Sequence, residues 1–270
     1  MTGFERRVRL GRSGLMVSPL GIGSSYGIPE KACHMAFDAG VDYFFWGSVR
    51  TPGMGLAIRE IARRSRDDIV IVLQCYVRNP RKIPVSVERG LRKARIDFAD
   101  ILLLGWHDQK PGPQIMDTAQ QLREQGRFRH LAISSHNRPL FVDLLQDDRF
   151  DVFHIRYNAA HPGAEADIFP HLPADDTPGI VSFTNTRWGD LLKARNMPDG
   201  FTPPTATDCY RFSMTNPNVD VAIAGPKDEH QTRAALDALD QGPMDDDELT
   251  RMRTIGDHVH GIRSISSMLS

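Results

Sequence analysis

The sequence predicts an α/β protein, a (β/α)8 TIM barrel preceded by an N-terminal β-hairpin, and three observations carry that expectation. Eight short apolar runs recur along the 270 residues, most of them followed by an amphipathic stretch. The runs are β-branched or leucine-rich and bounded by Gly, Pro or Asp, the pattern of parallel strands buried on both faces. The first strand-to-helix turn, Gly21-Ile22-Gly23-Ser24-Ser25-Tyr26, lacks the third glycine with which an open doubly wound sheet cradles a dinucleotide. The length also fits one closed barrel of about 250 residues.

In chain order, Arg7–Gly14 (RVRLGRSG) ends in a Ser-Gly turn signal with Val17 beyond it, and reads as a hairpin closing the bottom of the barrel. Strands are then expected at Leu20–Gly23, Val41–Trp46, Ile69–Cys75 and Ile101–Leu104. Four more are expected at His130–Ser134, Val152–Ile155, Gly179–Phe183 and Val219–Ala224. Between them, Val85–Ala94 places Val87, Leu91 and Ala94 on one helical face and Arg89, Arg92 and Lys93 on the other. Ile115–Gln125 ends on Gly126, a glycine suited to the left-handed residue that closes a helix. Asp245-Asp246-Asp247-Glu248 complements the dipole of a helix containing Leu249, Met252 and Ile255. Asp208–Phe212 reads as packing in the helix before the eighth strand. No repeat, low-complexity tract or linker divides the chain, so residues 1–270 are expected to form a single domain.

Composition excludes several classes. A net charge of −1 with 25% charged residues offers neither the basic stripe of a nucleic-acid binder nor a polybasic membrane patch. No window approaches the roughly 20 apolar residues of a membrane helix, and the first residues carry no apolar signal core. Cys33, Cys75 and Cys209 are widely spaced and match no zinc-ligand pattern, so no metal is expected and the thiols read as reduced. The expected setting is cytoplasmic and the expected partner a small-molecule substrate; the oligomeric state is open.

Several stretches resemble the aldo-keto reductase family, and in its order. Leu10–Ser18 and Leu20-Gly21-Ile22-Gly23 are similar to its hairpin and first strand, and Ala39–Phe44 to the approach to its second. Asp97–Leu104 is similar to the fourth, Gly126–Ser135 to the fifth, and Arg156-Tyr157-Asn158 to the end of the sixth. The resemblance implies carbonyl reduction with NADP(H) by an Asp, a Tyr, a Lys and a His at the ends of strands two to four. Carried over by position, these four fall on Phe45, Arg50, Gln74 and Gly105, so all four are replaced. The nicotinamide-holding positions fall on Ser135, His136 and His154, and the stacking ring on Phe183. The pair that holds the adenine end falls on Ala234 and Ala235, leaving Lys227 and Gln231 to meet a phosphate.

In such a barrel the chemistry sits at the C-terminal ends of the strands, where a period of two selects residues on one face. Gln74 and Tyr76 share a face, as do Gly105 and His107, and as do His154, Arg156 and Asn158. His107 is the first candidate for general acid or base. Tyr76 is the candidate proton donor, its phenol lowered by Arg50 or Arg78, with Tyr26 as a second choice. Arg156 and Arg187 suit a carboxylate or phosphate clamp. Trp46 and Trp188 are expected as pocket walls, with Asn158 beside them. Cys75 points to the opposite face, as a buried structural thiol. The expected function is an NADP(H)-linked, aldo-keto-reductase-like oxidoreductase with a non-standard site for a small carbonyl or anionic substrate. Two other classes stand beside it: a cofactor-independent acid/base enzyme (cyclase, lyase or isomerase), and a non-catalytic binding protein on the same scaffold.

Overall fold

The computed structural model describes residues 3–47 and 51–268, the side chains of 263–268 excepted. Two short strands, β1 (Val8–Arg9) and β2 (Met16–Val17), pair antiparallel as the expected hairpin. Eight parallel strands follow: β3 (Leu20–Gly23), β4 (Tyr43–Trp46), β5 (Val70–Cys75), β6 (Ala99–Leu104), β7 (Phe128–Ser135), β8 (Val152–Arg156), β9 (Gly179–Phe183) and β10 (Val221–Ala224). They hydrogen-bond in sequence order, and β10 returns to β3, closing the barrel. The helices between them are α1 (Glu30–Asp38), α2 (Pro52–Ser65), α3 (Ile83–Ala94), α4 (Pro113–Glu124), α5 (Arg138–Leu144), α6 (Ala164–Asp167) and α7 (Ala206–Thr215). After β10 come α8 (Glu229–Gln241) and α9 (Asp246–Met268). Among the described residues no helix is long and apolar enough to cross a membrane.

Strand alternation divides the core in two. Tyr43, Val70, Val72, Ile101, Leu103, Ala132, Val152, Val181 and Val221 fill the barrel interior, while Phe44, Ile71, Leu73, Leu102, Ile133 and Phe153 meet the helices outside. Each fully buried Val, Leu, Ile or Phe contributes roughly 1.5–3 kcal/mol. The hairpin supplies Leu10 and Val17 to the interior, and Gly11 lies where a Cβ would be 2.2 Å from the Gly179 nitrogen, so the turn is pressed against the foot of β9.

Strand starts differ from the sequence expectation where an aspartate intervenes. β4 begins at Tyr43, because the Asp42 carboxylate turns back to accept the Ser18 N–H at 2.8 Å. The same device recurs on alternate strands. Asp100 accepts from Ile71 N–H, Asp151 from Leu131 N–H and Asp220 from Ile180 N–H, each at 2.8 Å. Four carboxylates thus tie each even barrel strand to the strand before it, at the end remote from the mouth.

Candidate functional site

At the C-terminal ends of the strands lies a cavity of about 260 Å³. Its floor is set by parity. Tyr43 and Phe45 of β4 point inward, and the Tyr43 hydroxyl lies 2.8 Å from His154 Nε2 across the barrel. Both residues are fully enclosed, and burial brings the His154 pKa down to about 3 and drives the Tyr43 phenol well up. The Phe45 ring sits 5.6 Å from that of His154.

Gln74 and Gly105 form one feature. A Cβ at Gly105 would fall 2.0 Å from Gln74 Nε2 and 3.2 Å from Ser134 Oγ. The Gln74 carboxamide therefore fills the space a side chain at position 105 would need. Its Oε1 is buried with no hydrogen-bond partner.

Aromatic rings make the walls. His136 meets Trp106 and Phe183 edge-on, with centroids 5.4 and 5.6 Å away. Burial, and then Arg156, lower its pKa, with Asp108 opposing. The Trp106 indole is held by its N–H to Asp108 Oδ1 at 3.1 Å. Tyr26, Tyr76, Trp106 and Trp188 line the cavity and are each about half exposed, between 47% and 58%. The loop after β9 carries Thr184, Arg187 and Trp188 at φ of 58°, 51° and 53°. Left-handed backbone costs a non-glycine residue about 1 kcal/mol or more, so this loop is held by its surroundings. Asn185 supplies part of that hold, donating to the Ile223 carbonyl at 2.8 Å and accepting from Ser182 and Ser213.

The cavity brings together Gln74, Tyr76, His136, His154, Phe183, Trp188 and Tyr26 of the expected residues. Others go elsewhere. His107 is buried outside the lining, its pKa lowered by burial and then by Arg78. Trp46 has the outward parity, with its ring against Gly55 of α2. Ser135 is buried and accepts the Asn137 N–H at 2.9 Å. Asn158 is fully buried and donates to the Thr184 carbonyl at 2.8 Å, so it braces the β9 loop rather than facing a ligand. Arg156 and Arg187 lie outside the lining, Arg187 buried. Arg50 falls outside the described residues. Burial raises the Tyr76 phenol, against the expected lowering, and Gln74 offsets only part. Arg78 instead donates to the Trp106 carbonyl.

Sequence reasoning missed Tyr43, Ser134, Trp106 and Tyr210, the last read as packing although it lines the cavity. Parity could have found Tyr43, which stands two residues before Phe45. Trp106 and Tyr210 lie in a loop and a helix, where no strand period applies. Among the described residues no group of His, Cys, Asp and Glu is arranged to hold a metal.

Among the described residues, the cavity lining contains no Asp, Glu, Lys or Arg. At neutral pH both of its histidines and its tyrosines are uncharged. Beyond it, the N-terminus of α8 is closed by acids. Asp228 caps it by accepting the Gln231 N–H at 2.8 Å, and Glu229 of the first turn pairs with Lys31 at 3.1 Å. Gln231 Oε1 accepts the Lys227 N–H at 3.0 Å, which turns that side chain to the protein's own backbone.

No protein-family model and no curated protein matches the chain. Solved aldo-keto reductases share its fold. The holo form of aldo-keto reductase AKR11C1 from Bacillus halodurans has a TM-score of 0.76 at 16% identity, over 93% of this chain and 96% of that one. An aldo/keto reductase from Klebsiella pneumoniae, in complex with NADP and acetate, has a TM-score of 0.77 at 18% identity, over 94% and 96%. An aldo-keto reductase from Klebsiella pneumoniae in complex with NADPH has a TM-score of 0.71 at 18% identity, over 94% and 96%. The fold is therefore that of an aldo-keto-reductase-like (β/α)8 barrel.

Proposed function

We propose that the barrel mouth is a nucleotide-free site for a small, uncharged, ring-bearing molecule, and that the chemistry it suits is proton transfer rather than hydride transfer. The observation that carries this reading is the lining, aromatic and neutral among the described residues, with four half-exposed rings around the opening. Planar apolar ligands gain from such walls, whereas a dinucleotide brings charged phosphates that need cations or free helix N-termini. Here the α8 N-terminus carries Asp228 and Glu229, and Ala235 is fully buried. An α8 N-terminus capped by Asp228 is a poor seat for the phosphates of NADP(H). Of the two imidazoles at the mouth, His136 is the one left to exchange a proton, since burial holds His154 neutral far below pH 7.

A second reading, the NADP(H)-linked oxidoreductase acting on a small carbonyl, is favoured by Phe183 in the cavity wall at the position of the stacking ring. The nucleotide complexes from Klebsiella pneumoniae add to it. Calorimetric titration separates the two. The bicyclic ketone α-tetralone is expected to bind with a dissociation constant below about 1 mM (−4 kcal/mol), while NADPH and NADP+ give no saturable heat at that concentration. Micromolar binding of either nucleotide would replace the first reading by the second.

A further inference from the structure

The Tyr43–His154 pair has a consequence for what the mouth recognises. Its hydrogen bond has two senses: either the phenol donates to Nε2, or an Nε2–H donates to the phenol oxygen. Tyr43 is fully buried, and its neighbours in the barrel interior include Val70, Val72, Val152, Val181 and Val221. Among the described residues its hydroxyl has no second partner. In the second sense the phenol hydrogen would be stranded in an apolar core, at a cost comparable to a lost buried hydrogen bond. The first sense leaves nothing stranded. Nε2 then accepts, and the neutral ring carries its proton on Nδ1, on the edge turned away from Tyr43, while His154 itself lines the cavity.

Ser134 stands beside it. The two residues are register partners on β7 and β8, both line the cavity, and the Ser134 hydroxyl has no hydrogen-bond partner within the described protein. Gly105 keeps that hydroxyl open, since a Cβ there would crowd it at 3.2 Å. We propose that Tyr43 fixes His154 as a one-sided N–H donor, and that this N–H and the Ser134 O–H together receive the carbonyl oxygen of the ligand. The inference rests on the reading of the mouth as a neutral, nucleotide-free site and names its ligand class: a ring compound bearing a carbonyl, held by two uncharged donors. Such donors strengthen as negative charge grows on the carbonyl oxygen. Tyr43 is a positioning residue in this scheme, because it touches only His154.

Two measurements test it. Long-range proton–nitrogen NMR correlations of the imidazole report the tautomer directly. In the wild-type protein His154 is expected to be neutral with the proton on Nδ1, and in Tyr43→Phe to shift toward the other tautomer; a wild-type ring protonated on Nε2 overturns the proposal. Calorimetry with a matched pair of probes reads the ligand class. α-Tetralone is expected to bind about tenfold more tightly than its hydrocarbon analogue tetralin, an advantage that Ser134→Ala and Tyr43→Phe each reduce. Equal affinities in the wild-type protein overturn the carbonyl site while leaving the neutral mouth standing. If neither probe binds, the mouth reading fails and the carbonyl site fails with it, whereas the tautomer result is unaffected and shows which part was at fault. Ser134→Ala removes a single oxygen, so the test survives if Tyr43→Phe does not fold.

Discussion

The two ends of the barrel use polar groups in opposite ways. At the foot, Asp42, Asp100, Asp151 and Asp220 each accept a backbone N–H from the preceding strand, and three of them also face arginines. Asp100 lies between Arg66 at 2.9 Å and Arg129 at 3.5 Å. At the mouth, among the described residues, no carboxylate, lysine or arginine lines the cavity, and polar atoms such as Gln74 Oε1 and His136 Nδ1 are buried without partners. A satisfied, charged ring specifies strand register; an unsatisfied, neutral one is left over for something else to complete. The difference locates stability at one end of the barrel and recognition at the other, as the architecture itself favours.

Substitutions can break or sharpen that contrast, and the largest effect is expected at the foot. Asp100→Ala leaves the buried Ile71 N–H without its acceptor and takes one partner from the half-buried Arg66, which keeps the Ile69 and Phe98 carbonyls. It is expected to cost about 2 to 3 kcal/mol in denaturant unfolding, because a buried donor is left unpaired and an ion pair is lost. Tetralone affinity of the folded fraction should not change.

Asp220 is the exception within the ring. It has no ion pair among the described residues, and burial raises its pKa to about 6 from 3.8, with the Ile180 N–H opposing. Its protonated form is therefore favoured in the native state. Stability from this group is present in acid and is lost as pH rises from about 4 to about 6. Asp220→Asn should raise stability at pH ~7.5 by up to about 2 kcal/mol and leave it unchanged near pH 4. A melt series over pH reads this as a flattened profile; an unaltered profile would return Asp220 to the same standing as its three counterparts.

At the mouth the signs reverse. Trp188→Ala is expected to change stability by less than about 1 kcal/mol, since the ring is half exposed, while weakening tetralone about tenfold. The smallest effect is expected at Gly105→Ala. The added Cβ meets the far end of a flexible glutamine, which can swing away, so a loss of about 1 kcal/mol or less should appear. Adding Gln74→Ala should abolish that loss in a double-mutant cycle, and an additive pair would show that the two positions do not share one space.

Much of this was legible in the residues. The eight strands and the hairpin follow from short apolar runs and turn residues, because the twofold alternation of a strand is written locally. Parity also placed Gln74 and Tyr76, and His154, on the inner face. The same alternation sends Trp46 out to α2, against its expectation as a pocket wall, and parity failed for His107, which lies beyond the end of β6 where no period holds. Asn158, Arg156 and Arg187 were read as one mouth with His154, yet Asn158 braces the β9 loop and the arginines stay out of the lining.

By itself, then, the sequence determined the barrel and its hairpin plug, since each is a matter of residue type at a local position. Only the tertiary structure decided that Tyr43 meets His154, that Gln74 fills the space above Gly105, and that four rings surround an uncharged cavity. The physical reason is closure: Tyr43 and His154 stand 111 residues apart, and no local period fixes which side chains a closed sheet brings together across its interior.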